Sequence, residues 1–296
     1  MQASKSVRTI TPLHIAVMLL GVLVFVLLLF ADKTNLNDDS AEGLGGGAKE
    51  NGTTAEADIS GNNTAAMLSM LPPLNPPEEL AARVTALEET RNPEDRVNLL
   101  REIVNGFRNS GRVDVAAVYA GELARTQPQA KNLVVAGALF RNATALPAMQ
   151  TDTSLFRRFS DEALRFLESA VELEPKNEDA LIELGLAMVE SRRGTMGMQG
   201  IFKLREVLDL NPENTEAMFH LGQKSIETGQ FDRAEARFRK ILELEPKNHR
   251  ARYFLGIAVR GLNKSAEYKQ LMAEVAAQQD DLSLAALAES ALNEIK

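Results

Sequence analysis

Thr215-Glu-Ala-Met-Phe-His-Leu-Gly-Gln-Lys-Ser-Ile-Glu-Thr-Gly-Gln-Phe-Asp-Arg-Ala-Glu-Ala-Arg-Phe-Arg-Lys-Ile-Leu-Glu-Leu-Glu-Pro-Lys-Asn248 decides the fold. Apolar residues recur at helical spacing on both sides of Gly229, which predicts two helices joined by a tight turn. Gly222 is small enough to let the paired helix approach closely. Gly229 ends the first helix, because glycine takes positive φ without steric penalty. Ala234 sits where the helices cross, and Pro246 cannot continue the second helix. A lone hairpin of this kind cannot bury its apolar face, so it must stack with others.

Similar pairs flank it. Leu181, Leu184-Gly185 and Met188, followed by Leu204, Val207, Leu210 and Pro212, mark a pair over 178–214. Its inter-helix turn, read as Ser191–Gly200, is longer than that at Gly229, and Gly200 stands at the place that Ala234 holds in the next pair. Arg250–Gly261 opens another pair with Leu255-Gly256, whose second helix spans about 265–278. Upstream, helices are predicted near 78–90, 94–109 and 113–126. A further pair runs from Val134–Phe140 to a second helix near 155–173, interrupted by an insertion around 143–154. The junctions Glu174-Pro-Lys-Asn177, Asn211-Pro-Glu-Asn214 and Glu245-Pro-Lys-Asn248 repeat at the boundaries. A closing helix over 282–295 carries Leu282, Leu284, Leu287, Leu292 and Ile295.

These residues resemble the tetratricopeptide repeat. The resemblance is best at 178–214 and 215–248, degenerate at 95–177 and 249–280, and absent from the first 75 residues. It implies an all-α fold, a solenoid of helix-turn-helix units over 78–296. It also implies a concave groove lined by the first helix of each unit. The family's groove positions hold Asp179, Ile182, Glu183, Leu186, Val189 and Glu190. In the next unit they hold Glu216, Phe219, His220, Gln223, Ile226 and Glu227, and in the last Arg250, Tyr253, Phe254, Ile257 and Arg260. Ile182, Leu186, Phe219, His220, Gln223, Tyr253, Phe254 and Ile257 are the candidate protein-binding residues. Members that clamp chaperone carboxylate tails carry Lys, Asn and Arg at the fifth, sixth and ninth positions. Ile182, Phe219, Tyr253, Leu186, Gln223 and Ile257 replace them, so that clamp is missing. An apolar, aromatic-spotted groove suits an amphipathic helix or apolar peptide. The closing helix is read first as the end cap that a solenoid needs; groove-filling, dimerisation and partner docking are its other readings.

The N-terminal third is different. Residues 12–31 are uncharged and almost wholly apolar from Ile15 to Phe30. That run reaches the ~20 residues of a membrane-spanning helix, and is longer than the usual apolar core of a cleaved signal peptide, the competing reading. Lys5 and Arg8 precede it, which places residues 1–11 in the cytoplasm by the positive-inside rule. The repeat domain would then be extracytoplasmic, periplasmic in a Gram-negative cell, behind an inner-membrane anchor. Residues 32–77 read as a flexible, disordered linker rich in Gly, Asn and Ser, with 7 acidic and 2 basic residues.

The 296-residue chain has net charge -8 and no cysteine. The first property argues against a nucleic-acid partner; the second excludes disulfides and thiolate chemistry. Gly43-Leu-Gly-Gly-Gly-Ala-Lys49 lacks the Gly-Lys-Ser/Thr order of a phosphate loop. His14, His220 and His249 share no zinc-binding spacing. The sequence therefore points away from an enzyme and implies neither cofactor nor metal. It predicts a membrane-tethered scaffold or assembly factor with a protein partner. The resemblance to membrane-anchored bacterial members implies roles such as cytochrome c maturation or envelope biogenesis. A self-associating homo-oligomer is the alternative.

Overall fold

A computed structural model describes residues 64–73 and 75–294. The predicted membrane helix at 12–31 and most of the predicted linker lie outside these residues. Among the described residues, no helix is long and apolar enough to cross a membrane. All regular structure there is helical: α1 Thr64–Leu68, α2 Glu78–Glu89, α3 Pro93–Asn109, α4 Val113–Thr126, α5 Ala130–Ala143, α6 Pro147–Thr151, α7 Thr153–Leu173, α8 Glu178–Glu190, α9 Met196–Leu210, α10 Thr215–Glu227, α11 Phe231–Leu244, α12 His249–Gly261, α13 Ser265–Ala276 and α14 Leu282–Asn293. From α2 onward each helix packs on the next, except that α5 pairs with α7 across the short α6.

The recurring junctions explain the regular starts. Each ends in an asparagine that caps the following helix, satisfying a backbone N–H that has no intrahelical acceptor. The Asn177 side chain accepts from the Ala180 N–H at 3.0 Å, Asn214 from Ala217 at 2.8 Å, and Asn248 from Ala251 at 2.8 Å. The junctions are also tied to one another. Asn211 and Asn214 both donate to the Glu178 carboxylate, at 3.0 and 2.7 Å, and Thr215 donates to Glu245 at 2.6 Å. One junction thus holds the next in register.

Within hairpins, the small residues do the work anticipated for them. A Cβ on Gly222 would lie 2.6 Å from the Phe238 ring, and Ala234 is fully buried. Gly229 has φ +71°. The turn after α8 is shorter than the sequence predicts. It ends at Thr195, and Gly200 lies inside α9. Glycine disfavours a helix interior by about 1 kcal/mol, but here tertiary packing requires it, because a Cβ on Gly200 would lie 2.3 Å from the Gly185 carbonyl oxygen.

The two departures from the repeat pattern pack together. Gln150, in the insertion that forms α6, accepts from Arg192 in the long turn. The Arg192 guanidinium lies 4.4 Å from the Phe156 ring centroid, and Arg193 pairs with Asp161. Arg192 holds φ +57° to do so.

One reading is corrected. The stretch 64–73, assigned to the flexible linker, carries α1 and is docked on α4. Met67 and Leu71 bury their side chains in the core, and Arg112 donates to the carbonyls of Pro72 and Pro73 at 3.2 and 3.3 Å. Two apolar residues four apart suffice to anchor one turn, a signal that averaged composition hides.

The apolar interior forms three clusters joined through shared helices. The first runs from Met67 to Ala187. Helix α8 gives Leu184 and Ala187 to it, but Leu181, Ile182 and Leu186 to a second cluster with Leu204, Val207, Ala217 and Leu221. Helix α10 gives Ala217 and Leu221 to the second, but Met218 and Phe219 to a third that extends to Leu284 and Ala288. The closing helix packs on α13 through those last residues, as an end cap.

Candidate protein-binding groove

The first helices of successive hairpins are α5, α8, α10 and α12. Helices α5 and α8 adjoin directly, as do α10 and α12; across the gap between the two pairs, Glu216 and His220 of α10 feel the charges of Glu183 and Arg141. Arg141 joins the first two. Its Nε donates to Glu183 at 2.8 Å, and its Nη1 reaches Glu190 at 3.2 Å. Burial works against the Arg141 charge, but the hydrogen bonds and charges of Glu183 and Glu190 outweigh it, and its pKa rises. Phe219 and Phe254 join the second two, edge to face at 5.2 Å.

Sequence position alone did not reveal Arg141. Counting from Ala136-Gly137, which occupy the places of Leu184-Gly185 and Leu221-Gly222, puts Arg141 at the groove position held elsewhere by Val189, Ile226 and Arg260. The position alone does not mark it, because Val189, Ile226 and Arg260 share no chemistry there.

The eight predicted residues divide into two groups. Ile182, Leu186 and Phe219 are only 1, 6 and 8 % exposed. They are core, not lining: Ile182 and Leu186 pack with Leu204 and Val207, and Phe219 packs on Phe238 and Phe254. The Arg250 guanidinium covers the Phe219 ring at 4.9 Å. The groove is thus less greasy than its positions imply, because neighbouring side chains close over the apolar residues. His220, Gln223, Tyr253, Phe254 and Ile257 remain partly accessible.

The accessible face is polar and predominantly acidic toward α8. Asp179, Glu183 and Glu216 share one neighbourhood. Partial burial and then the negative charges of Glu183 and Asp179 raise the Glu216 pKa. Burial, and next the Arg141 charge, lower that of His220, so His220 is neutral at pH 7 and offers one donor and one acceptor. Among the described residues, no three His, Asp or Glu side chains are grouped so as to hold a metal ion. The surface can do what such a surface does chemically: accept hydrogen bonds and cations, and seat a ring or aliphatic chain against Tyr253 and Ile257.

Comparison with known proteins agrees with the helical-hairpin fold. Residues 199–256 match the tetratricopeptide repeat family. No curated protein sequence matches the chain. Among solved structures, the chain resembles a tetratricopeptide repeat protein from Parabacteroides merdae at 12 % identity, covering 73 % of this chain and 78 % of that one, with a TM-score of 0.56. It also resembles a thermophilic repeat protein of Thermus thermophilus at 20 % identity, covering 68 and 99 %, with a TM-score of 0.50. At such identities the likeness concerns the fold alone. The helical array is a solenoid of the tetratricopeptide-repeat kind, with the family match itself resting on 199–256.

Proposed function

We propose that this chain is a non-catalytic scaffold that holds a segment of a partner protein along α8, α10 and α12, near a membrane to which residues 12–31 tether it. The observation that carries the reading is the adjoining pair of first helices α10 and α12, on which His220, Gln223, Tyr253 and Ile257 stay accessible between the acidic neighbourhood of Glu216 and Arg250. A partner helix or peptide fits it by laying an apolar side on Tyr253 and Ile257 and a basic residue near Asp179 and Glu216. The uncharged run of residues 12–31 supports the tether, and Lys5 and Arg8 before it support an extracytoplasmic location. Cytochrome c maturation and envelope biogenesis are the roles that the resemblance brings forward.

Capture of partners from a membrane extract by the full-length protein tests the groove. Tyr253→Glu with Ile257→Glu is expected to lose the partner while the helical circular dichroism signal is kept. Full recovery with the folded variant would sink the reading. Phe219 is unsuited to this test, since it belongs to the core.

A second reading, self-association through α14, draws on Leu282 and Leu287, which are 74 and 56 % exposed. Light scattering separates the two: Leu282→Asp with Leu287→Asp converts an oligomer to a monomer, and a wild type that is already monomeric removes this reading.

A further inference from the structure

A different surface carries uncompensated positive charge. Between α9 and the hairpin of α10 and α11 lies a cleft of about 270 Å³, to which α9 gives Met198 and Arg205, α10 gives Lys224 and Ser225, and α11 gives Arg233 and Arg237. Three of its four cations lack a carboxylate. No Asp or Glu oxygen among the described residues lies within ion-pair distance of Arg205, Arg233 or Arg237, whereas Lys224 pairs with Glu227 at 2.6 Å. Arg237 donates to Ser225 Oγ at 2.9 Å and to the Arg233 carbonyl at 3.3 Å; Arg233 donates to Gln230 at 2.5 Å. Neutral acceptors therefore hold guanidinium groups that a carboxylate would hold more strongly. Burial, then the like charges of Arg205 and Arg233, lower the Arg237 pKa.

This is unusual for a chain of net charge -8. Acidic residues are abundant, yet none among the described residues pairs with these arginines. The rim is also apolar. Met198 and Phe202, one helical turn apart on α9, are 59 and 56 % exposed, and Arg205 stands 5.9 Å from the Phe202 ring centroid. A planar guanidinium grips a carboxylate by two parallel hydrogen bonds, and this cleft offers three, with Arg233 and Arg237 held in place by neutral acceptors and Arg205 beside the Phe202 ring.

We infer that this cleft is a second protein-docking site, one that takes an acidic peptide segment of a partner, with an apolar residue of that segment seated on Met198 and Phe202. Charge complementarity selects this occupant. The site is independent of the first-helix groove: it lies on α9 and the turn ends of α10 and α11, and shares no residue with that groove.

Fluorescence anisotropy on the full-length protein tests it. The probe is a labelled twelve-residue peptide of Asp and Glu around one central Leu, compared with its Asn/Gln counterpart and with a single-stranded thymidine oligonucleotide. The acidic peptide is expected to bind at least tenfold more tightly than the amide peptide, and to weaken as salt is raised. Arg205→Glu with Arg233→Glu is expected to weaken it at least tenfold further, and Arg250→Glu, in the other groove, by less than twofold. Equal binding of acidic and amide peptides by the wild type overturns the inference without reliance on any variant. So does tighter binding of the oligonucleotide, or an equal loss with Arg250→Glu, which would place the peptide in the first-helix groove instead.

Discussion

Gly185 and Gly200 meet backbone to backbone where α8 crosses α9, with only 2.3 Å between the Gly185 carbonyl oxygen and the place a Gly200 Cβ would take. A second Cβ, on Gly185, would lie 2.9 Å from the Gly200 oxygen. Neither obstacle is a side chain that could swing away. Gly200→Ala should therefore destabilise by about 2–3 kcal/mol, despite the better helix propensity of alanine. Urea denaturation measures this, and an unchanged midpoint would show that the crossing can open without cost.

Arg141 is the second point of leverage. Arg141 and Glu183 are largely buried, and removing the arginine leaves Glu183 and the half-exposed Glu190 without their cation, close to Asp179 and Glu216. Arg141→Met should cost about 2 kcal/mol, discounted from the value for a fully buried pair because Glu190 is half-exposed. Adding Glu183→Gln should recover part of it. If the double variant is as unstable as the sum of the singles, the pair is not coupled.

The aromatic cluster separates core from surface. Phe219→Ala should cost about 3 kcal/mol, in line with the loss of a buried ring. Tyr253→Ala should cost about 1 kcal/mol or less, as for a side chain that keeps access to solvent. Thermal melts of the two variants check the order, and similar losses would show that Tyr253 is as structural as its neighbour.

His220 gives a pH signature. Its folded pKa is lowered by burial and by Arg141, so the unfolded chain takes up the proton first as pH falls. The stability it contributes is complete above the ordinary histidine pKa of about 6.5, and is lost as pH falls below that value. Melting temperature should drop between pH 7.5 and 5.5 by more in the wild type than in His220→Gln. A larger drop in the variant would reverse the sign and contradict the burial.

The caps provide the last test. Asn214 caps α10 and also donates to Glu178, whereas Asn248 caps α12 and donates only to Glu245, three residues before it. Asn248→Ala should cost about 1 kcal/mol, and Asn214→Ala more, because it unties one junction from the next.

Much of the fold was legible because each hairpin repeats the same local instructions. Asparagine at a start, glycine at a turn and apolar side chains at helical spacing mark where α8, α10 and α12 begin. What escaped reading depends on a neighbour. Nothing local to Gly200 says that it continues a helix, since the reason lies at Gly185. Met67 and Leu71 look like linker until α4 receives them. The groove suffered the same way. A repeat position tells which side of a helix Ile182, Leu186 and Phe219 occupy, but not whether Leu204, Phe238 or Arg250 closes over them. Arg141 was missed because its partners, Glu183 and Glu190, lie 42 and 49 residues away on α8.

The interior passes from cluster to cluster through α8 and α10, each of which faces two of them. Such a chain of cores behaves more like a zipper than a droplet. A melting front that starts at α14 has a place to halt at α10, and another at α8. Half the molecule can then come undone, and close again, while the remainder keeps its shape.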